Sequence, residues 1–93
     1  MKQSKSDEKL TDRTCKLIKQ GCSIYLREKR GKWYLHHWTN IAAGWDKAQW
    51  GRREHAMEIF DLKWAFALAR LYRCKVVSYN HEQNIETVEK VRG

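Results

Sequence analysis

The stretch from Cys22 to Trp38, CSIYLREKRGKWYLHHW, constrains this chain more than any other. Two runs rich in aliphatic and aromatic residues flank Lys29-Arg30-Gly31-Lys32, which is the pattern of a β-hairpin and its turn. Gly31 suits the positive φ that a tight hairpin turn demands. With Arg30-Gly31 as a two-residue loop, Glu28 faces Trp33, Leu26 faces Leu35 and Ile24 faces His37. Side chains alternate across a strand, so one face carries Ile24, Leu26, Trp33 and Leu35. The other carries Tyr25, Arg27, Lys29, Lys32, Tyr34, His36 and Trp38. The first set needs a core; the second is aromatic and cationic.

The rest of the chain is arranged around this ribbon. Residues 1–11 are polar and mixed in charge, and are expected to be flexible. Leu10, Thr14, Leu17 and Ile18 sit at helical spacing, although 14–19 also passes as a strand; a short helix ended by Gly21 is the preferred reading. Residues 39–53 carry turn signals at Asn40, Gly44 and Gly51 and read as a long connection, with one helical turn over 48–50. Trp45 and Trp50 in it serve either as plugs that fold it back onto the sheet or as binding residues. From Glu54 to Cys74 the pattern is helical, with Met57, Phe60, Trp64, Leu68 and Leu71 at i, i+3/i+4 spacing. Asp61 offers a second start, capping a helix over 62–73. Lys75 to Tyr79 is a strand that returns beside the hairpin, 80–84 turns, and 85–91 is a last helical turn or an extended tail.

These elements make an α+β domain of two layers, a small antiparallel sheet of three or four strands packed by one principal helix. The domain spans 12–80, and 81–93 is a C-terminal tail or short helix.

Net charge and cysteines narrow the function. The formal net charge is +8. Between Arg13 and Lys75 there are 14 basic and 5 acidic side chains, whereas 80–93 holds two basic and three acidic ones. So basic a middle suggests nucleic acid, a nucleoprotein, or an acidic protein surface as partner. Three cysteines (Cys15, Cys22, Cys74) without C-x-x-C spacing fit neither a disulfide framework nor a zinc site, and point to a reducing cytoplasm. No apolar run has the length of a membrane span and the first residues lack a signal-peptide core.

No catalytic, cofactor or metal site is expected. His36 and His37 are adjacent on a strand and point to opposite faces, so they cannot chelate one ion. A two-layer domain leaves one sheet face without a helix. Tyr25, Tyr34 and Trp38 are therefore expected to stand open among Arg27, Lys29, Arg30, Lys32 and His36, rings to stack bases and cations to hold phosphates. Lys47, Arg52 and Arg53 form a second basic group. Arg70, Arg73 and Lys75 form a third, at the helix end. A cover from the 39–53 connection or the N-terminal segment is the competing expectation for the aromatic face.

Two resemblances bear on this reading. Ser23-Ile24-Tyr25 followed by Tyr34-Leu35-His36 resembles the paired triplets of GIY-YIG nucleases, with Ser23 and His36 in place of the two glycines. That resemblance implies a degenerate nuclease. Trp50, Ala56, Phe60, Asp61, Ala65, Ala69, Tyr72, Val76 and Val77, together with the hairpin, resemble the small hairpin, helix, strand proteins of phage and prophage accessory regions. Some of those inhibit host defence, anti-CRISPR proteins among them. That second resemblance implies a stoichiometric binder in the host cytoplasm, occupying a surface of a nucleoprotein machine such as a CRISPR effector or of a defence nuclease.

Overall fold

A computed structural model describes residues 5–37 and 49–90, with backbone alone for 5–8 and 37. Helix α1 (Lys5–Lys19) leads into β1 (Cys22–Glu28) and β2 (Tyr34–His37). Strand β3 (Gln49–Gly51), a 3-10 turn (Arg53–His55), α2 (Leu62–Tyr72), β4 (Cys74–Asn80) and β5 (Ile85–Glu89) follow. The strands form one antiparallel sheet in the order β3-β2-β1-β4-β5. The fold is α+β, with both helices on one face of the sheet.

The hairpin register is the one that alternation implies, with Arg27 opposite Tyr34 and the Glu28 N–H donating to the Trp33 carbonyl at 3.0 Å. Gly31 does not take the expected left-handed conformation; the glycine that does is Gly21, at φ 74°, where α1 ends. Gly31 instead lies under the Glu28 side chain, and a Cβ there would sit 1.6 Å from Glu28 Oε2.

Ile24, Leu26, Leu35 and Val76 face the helices, where they meet Leu17, Leu62, Ala65, Leu68, Ala69 and Tyr72. Burial of aliphatic side chains of this size contributes about 1.5–3 kcal/mol each. Trp33, expected with them, is 49% exposed because it precedes β2 at the mouth of the turn.

Helix α2 begins at the later of its two candidate starts. Asp61 is its N-cap, Oδ1 accepting from the Lys63 N–H at 3.0 Å. The next free N–H, that of Leu62, donates to Thr14 Oγ1 at 3.0 Å, while the Thr14 hydroxyl donates to the Leu10 carbonyl at 2.7 Å. One hydroxyl from α1 thus closes the start of α2. The face of α2 turned inward is Leu62, Ala65, Leu68, Ala69 and Tyr72. The stripe read from the sequence shares Leu68 with that face, and Met57 packs on the core, but Phe60 is 70%, Trp64 47% and Leu71 38% exposed. Two alanines let the helix axis lie close to the sheet, and the larger rings cannot occupy that space.

Three further expectations are corrected. Residues 5–11 belong to α1, so the domain does not begin at residue 12. Residues 49–51 are strand β3, not a helical turn. Residues 85–89 are strand β5, paired with β4 from Asn80–Ile85 to Val76–Glu89, not a tail or helix. Among the described residues the sheet therefore has five strands and the helix layer two helices.

β1 and β2 pair only next to their turn. Beyond it Ile24 pairs with Ile59 and not with His37: the Ile59 N–H donates to the Ile24 carbonyl and the Met57 N–H to the Leu35 carbonyl, both at 2.9 Å. The chain enters this gap from the face opposite the helices and leaves on the helix side, where Ile59 and Leu62 join the core. The segment that fills the split sheet is also what crosses its second face.

Candidate functional site

The second face holds Tyr25, Tyr34, Val77 and Tyr79, as alternation requires, and it is not open. Tyr25 and Tyr34 are each 7% exposed. Ala56 packs on this cluster and the Arg53 guanidinium lies 3.7 Å above the Tyr79 ring, a cation–π contact. Tyr25 meets Tyr34 edge to face at 6.1 Å. The Tyr34 hydroxyl donates to Glu86, whose other oxygen takes Arg27. Burial first, then the bond to Glu86, raises the Tyr34 pKa above its usual value. Ser23 and His81 share a 2.7 Å hydrogen bond at the far end, with the His81 ring edge-on to Tyr79 at 5.0 Å. These groups pack on one another, with Arg27 Nε left buried and unpartnered, and the expected open stacking surface is absent from them.

The remaining candidates divide. His36 is half-buried, its Nε2–H donating to the Arg52 carbonyl at 3.1 Å and its ring 5.9 Å from that of His55. Arg52 is exposed beside β3, and Arg30 and Lys32 are exposed in the hairpin turn. Trp38, Trp45 and Lys47 lie outside the described residues. Trp50 packs partly buried against the helix-side core, as a plug would.

Lys29 points elsewhere, into a groove of about 790 Å³ at the end of the molecule where α2 and the hairpin turn meet the start of β4 and the end of β5. Six cations line it: Lys29, Lys63, Arg70, Arg73, Lys75 and Lys90. Its floor is apolar, built from Leu10, Phe66 and Val76 on the helix side of the sheet. Arg70 and Arg73 also suit the negative end of the α2 dipole, and that accounts for two of the six. It does not account for Lys63, in the first turn of the same helix, or for Lys29, Lys75 and Lys90, which arrive from other segments.

Among the described residues that line it Glu89 is the sole acid, and its charge is already engaged. Arg13 pairs with it at 3.0 Å, a bond that raises the Arg13 pKa despite partial burial, and the Ser78 hydroxyl donates to it at 2.8 Å. The groove field is thus left positive. Cys74 is in the same lining; burial, against the pull of Lys29, pushes its thiol up to about 12 and keeps it protonated near neutral pH.

Arg73 stands at φ 56°, ψ 51°, its N–H donating to the Ala69 carbonyl. This left-handed C-cap is a glycine position by steric preference, so a cation is held there at a conformational cost of about 1–2 kcal/mol. Sequence reasoning found Arg70, Arg73 and Lys75 as one group. It missed Lys63 and Lys90, for which no local signal exists.

Among the described residues no cluster of three or more His, Cys, Asp or Glu side chains has metal-holding geometry, and no helix is long and apolar enough to cross a membrane. No family model, curated protein or solved structure matches this chain.

Proposed function

We propose that this protein is a non-enzymatic binding module that docks on nucleic acid or a nucleoprotein, and that it does so through the cationic groove and not through the tyrosine face. The observation that carries this reading is the convergence of six cations from four separate segments on one concavity whose single acid is engaged elsewhere. Cations gathered around a low-dielectric floor concentrate field and draw polyanions in. Arg30 and Lys32, exposed in the turn that carries Lys29, extend the same positive end. A cation kept in the strained Arg73 conformation supports it too, since backbone strain concentrates where function holds it.

The site of action in this reading is the cytoplasm, with the three thiols unpaired, and the host cytoplasm if the phage resemblance reflects its origin. Binding of labelled DNA or RNA over a salt series tests it. Affinity is expected to fall steeply and linearly with salt on logarithmic axes. Absence of binding at low salt would remove nucleic acid as the partner. It would then leave an acidic protein surface, for which the exposed Phe60 and Trp64 speak as interface residues.

A further inference from the structure

We propose that the groove takes single-stranded nucleic acid, one unpaired base lying against the Phe66 ring while the rim cations hold the flanking phosphates. The proposal rests on the polyanion reading above and narrows it.

Three observations carry it. The site is concave, and about 790 Å³ falls within the range of pockets that enclose small ligands. A duplex presents its phosphates on a convex cylinder with its bases stacked inside, so it offers nothing to an apolar floor. A single strand presents both, phosphates for the rim and a free base for the floor.

Second, the cations flank the floor from two sides. Lys63, Arg70 and Arg73 come from α2 and its cap, whereas Lys29, Lys75 and Lys90 come from the sheet and its turn. A strand lying along the groove meets charge on both margins. Third, the floor includes an aromatic ring, Phe66, which is only partly buried and lines the opening. Every base has a π-face, so such a ring recognises single strands without reading sequence. Purely electrostatic docking needs no apolar floor.

The test compares three polyanions by fluorescence anisotropy or competition: an oligothymidine about twelve nucleotides long, a duplex of mixed sequence of the same length, and inorganic polyphosphate of matched charge. The oligothymidine is expected to bind tightest. Phe66→Leu, checked for folding by circular dichroism and thermal melting, is expected to weaken it by roughly 5- to 100-fold with no change in salt slope, and to leave polyphosphate binding as it was. Should Phe66→Leu fail to fold, Leu10→Thr makes the partly buried edge of the floor polar, and is expected to cost roughly fourfold. Equal binding of all three polyanions, or a floor variant that weakens them alike, would overturn the single-strand proposal and leave the binding module standing. If none of the three binds at low salt, the single-strand proposal falls together with nucleic acid as the partner, and an acidic protein surface is left.

Discussion

Arg73 offers a perturbation in which stability and binding separate. It closes α2 at φ 56°, ψ 51° and also lines the cationic groove. Compare Arg73→Ala with Arg73→Gly. Both remove the same guanidinium and the same favourable interaction with the helix dipole, so those losses cancel between them. They differ in backbone. Alanine stays in a left-handed conformation that costs about 1–2 kcal/mol, whereas glycine adopts it freely but gives up about 0.5–1 kcal/mol in chain entropy. The glycine variant is therefore expected to be more stable than the alanine variant by about 0.5–1 kcal/mol. For a chain of 93 residues that corresponds to about 2–8 °C in Tm, well resolved by calorimetry or circular dichroism. Binding should not tell the two apart: each lacks one groove cation, and each should lower the salt slope by about 0.7–0.9 relative to the parent. Equal melting temperatures would show that Arg73 is not held in the left-handed region. A parental slope in both would show that its side chain does not meet a phosphate.

The other predictions concern the frame around the groove. Thr14→Val strips the oxygen that receives the Leu62 N–H and leaves that buried donor unpaired, at an expected cost of about 1–3 kcal/mol by urea unfolding; a cost near zero would mean that α2 starts without help from α1. Ala65→Leu should destabilise by about 1–3 kcal/mol through overpacking, while Phe60→Ser, at an exposed position, should lie within about 0.5 kcal/mol of the parent. The reverse order would place the other side of α2 against the sheet. Stability should hold up to pH 9 and decline toward the range of about 12, since burial pushes the Cys74 thiol up to about 12 from an ordinary 9.0 and the Tyr34 pKa is raised from 10.0. Raised values mean that the unfolded chain ionises first as pH climbs, and Cys74→Ala should flatten the lower part of that decline. At pH 8 exposed Cys15 should react with a maleimide while buried Cys74 does not.

Local patterns gave the parts of this fold that local physics determines. Alternation in 22–37 set the hairpin register, because a slip of one residue would put Leu26 and Leu35 on the wrong face. Asp61 identified one start for α2 through a side chain that bonds two residues along. The α2 face was misread for a physical reason. Phe60, Trp64, Leu68 and Leu71 form the more hydrophobic stripe, but close approach to a sheet selects for small residues, and Ala65 and Ala69 supply them. Residues 5–11 carry one apolar side chain, Leu10, too few to show a period. The cover on the tyrosine face is the competing expectation of the sequence, and Arg53 supplies part of it; it is not the preferred one because Arg53–Ala56 has no period at all, and its placement depends on the gap between β1 and β2. The acids of the C-terminal segment looked like a solvated tail, whereas Glu86 and Glu89 turn back to neutralise Arg27 and Arg13. The groove is the extreme case. Its cations lie at 29, 63, 70, 73, 75 and 90, and only tertiary structure assembles them.

The central claim, that charge at this groove and not charge in general drives docking, is tested most directly by two variants of equal net charge. One is Lys63→Gln/Arg70→Gln in the groove wall; the other is Lys16→Gln/Lys19→Gln in the last turns of α1. Lys19 is nine residues along the helix from Leu10 in the groove floor, or about 13 Å by helical rise. The groove variant is expected to bind oligothymidine with a salt slope smaller by about 1.4, and the α1 variant with the parental slope. Identical slopes in the two variants would contradict a localised groove site.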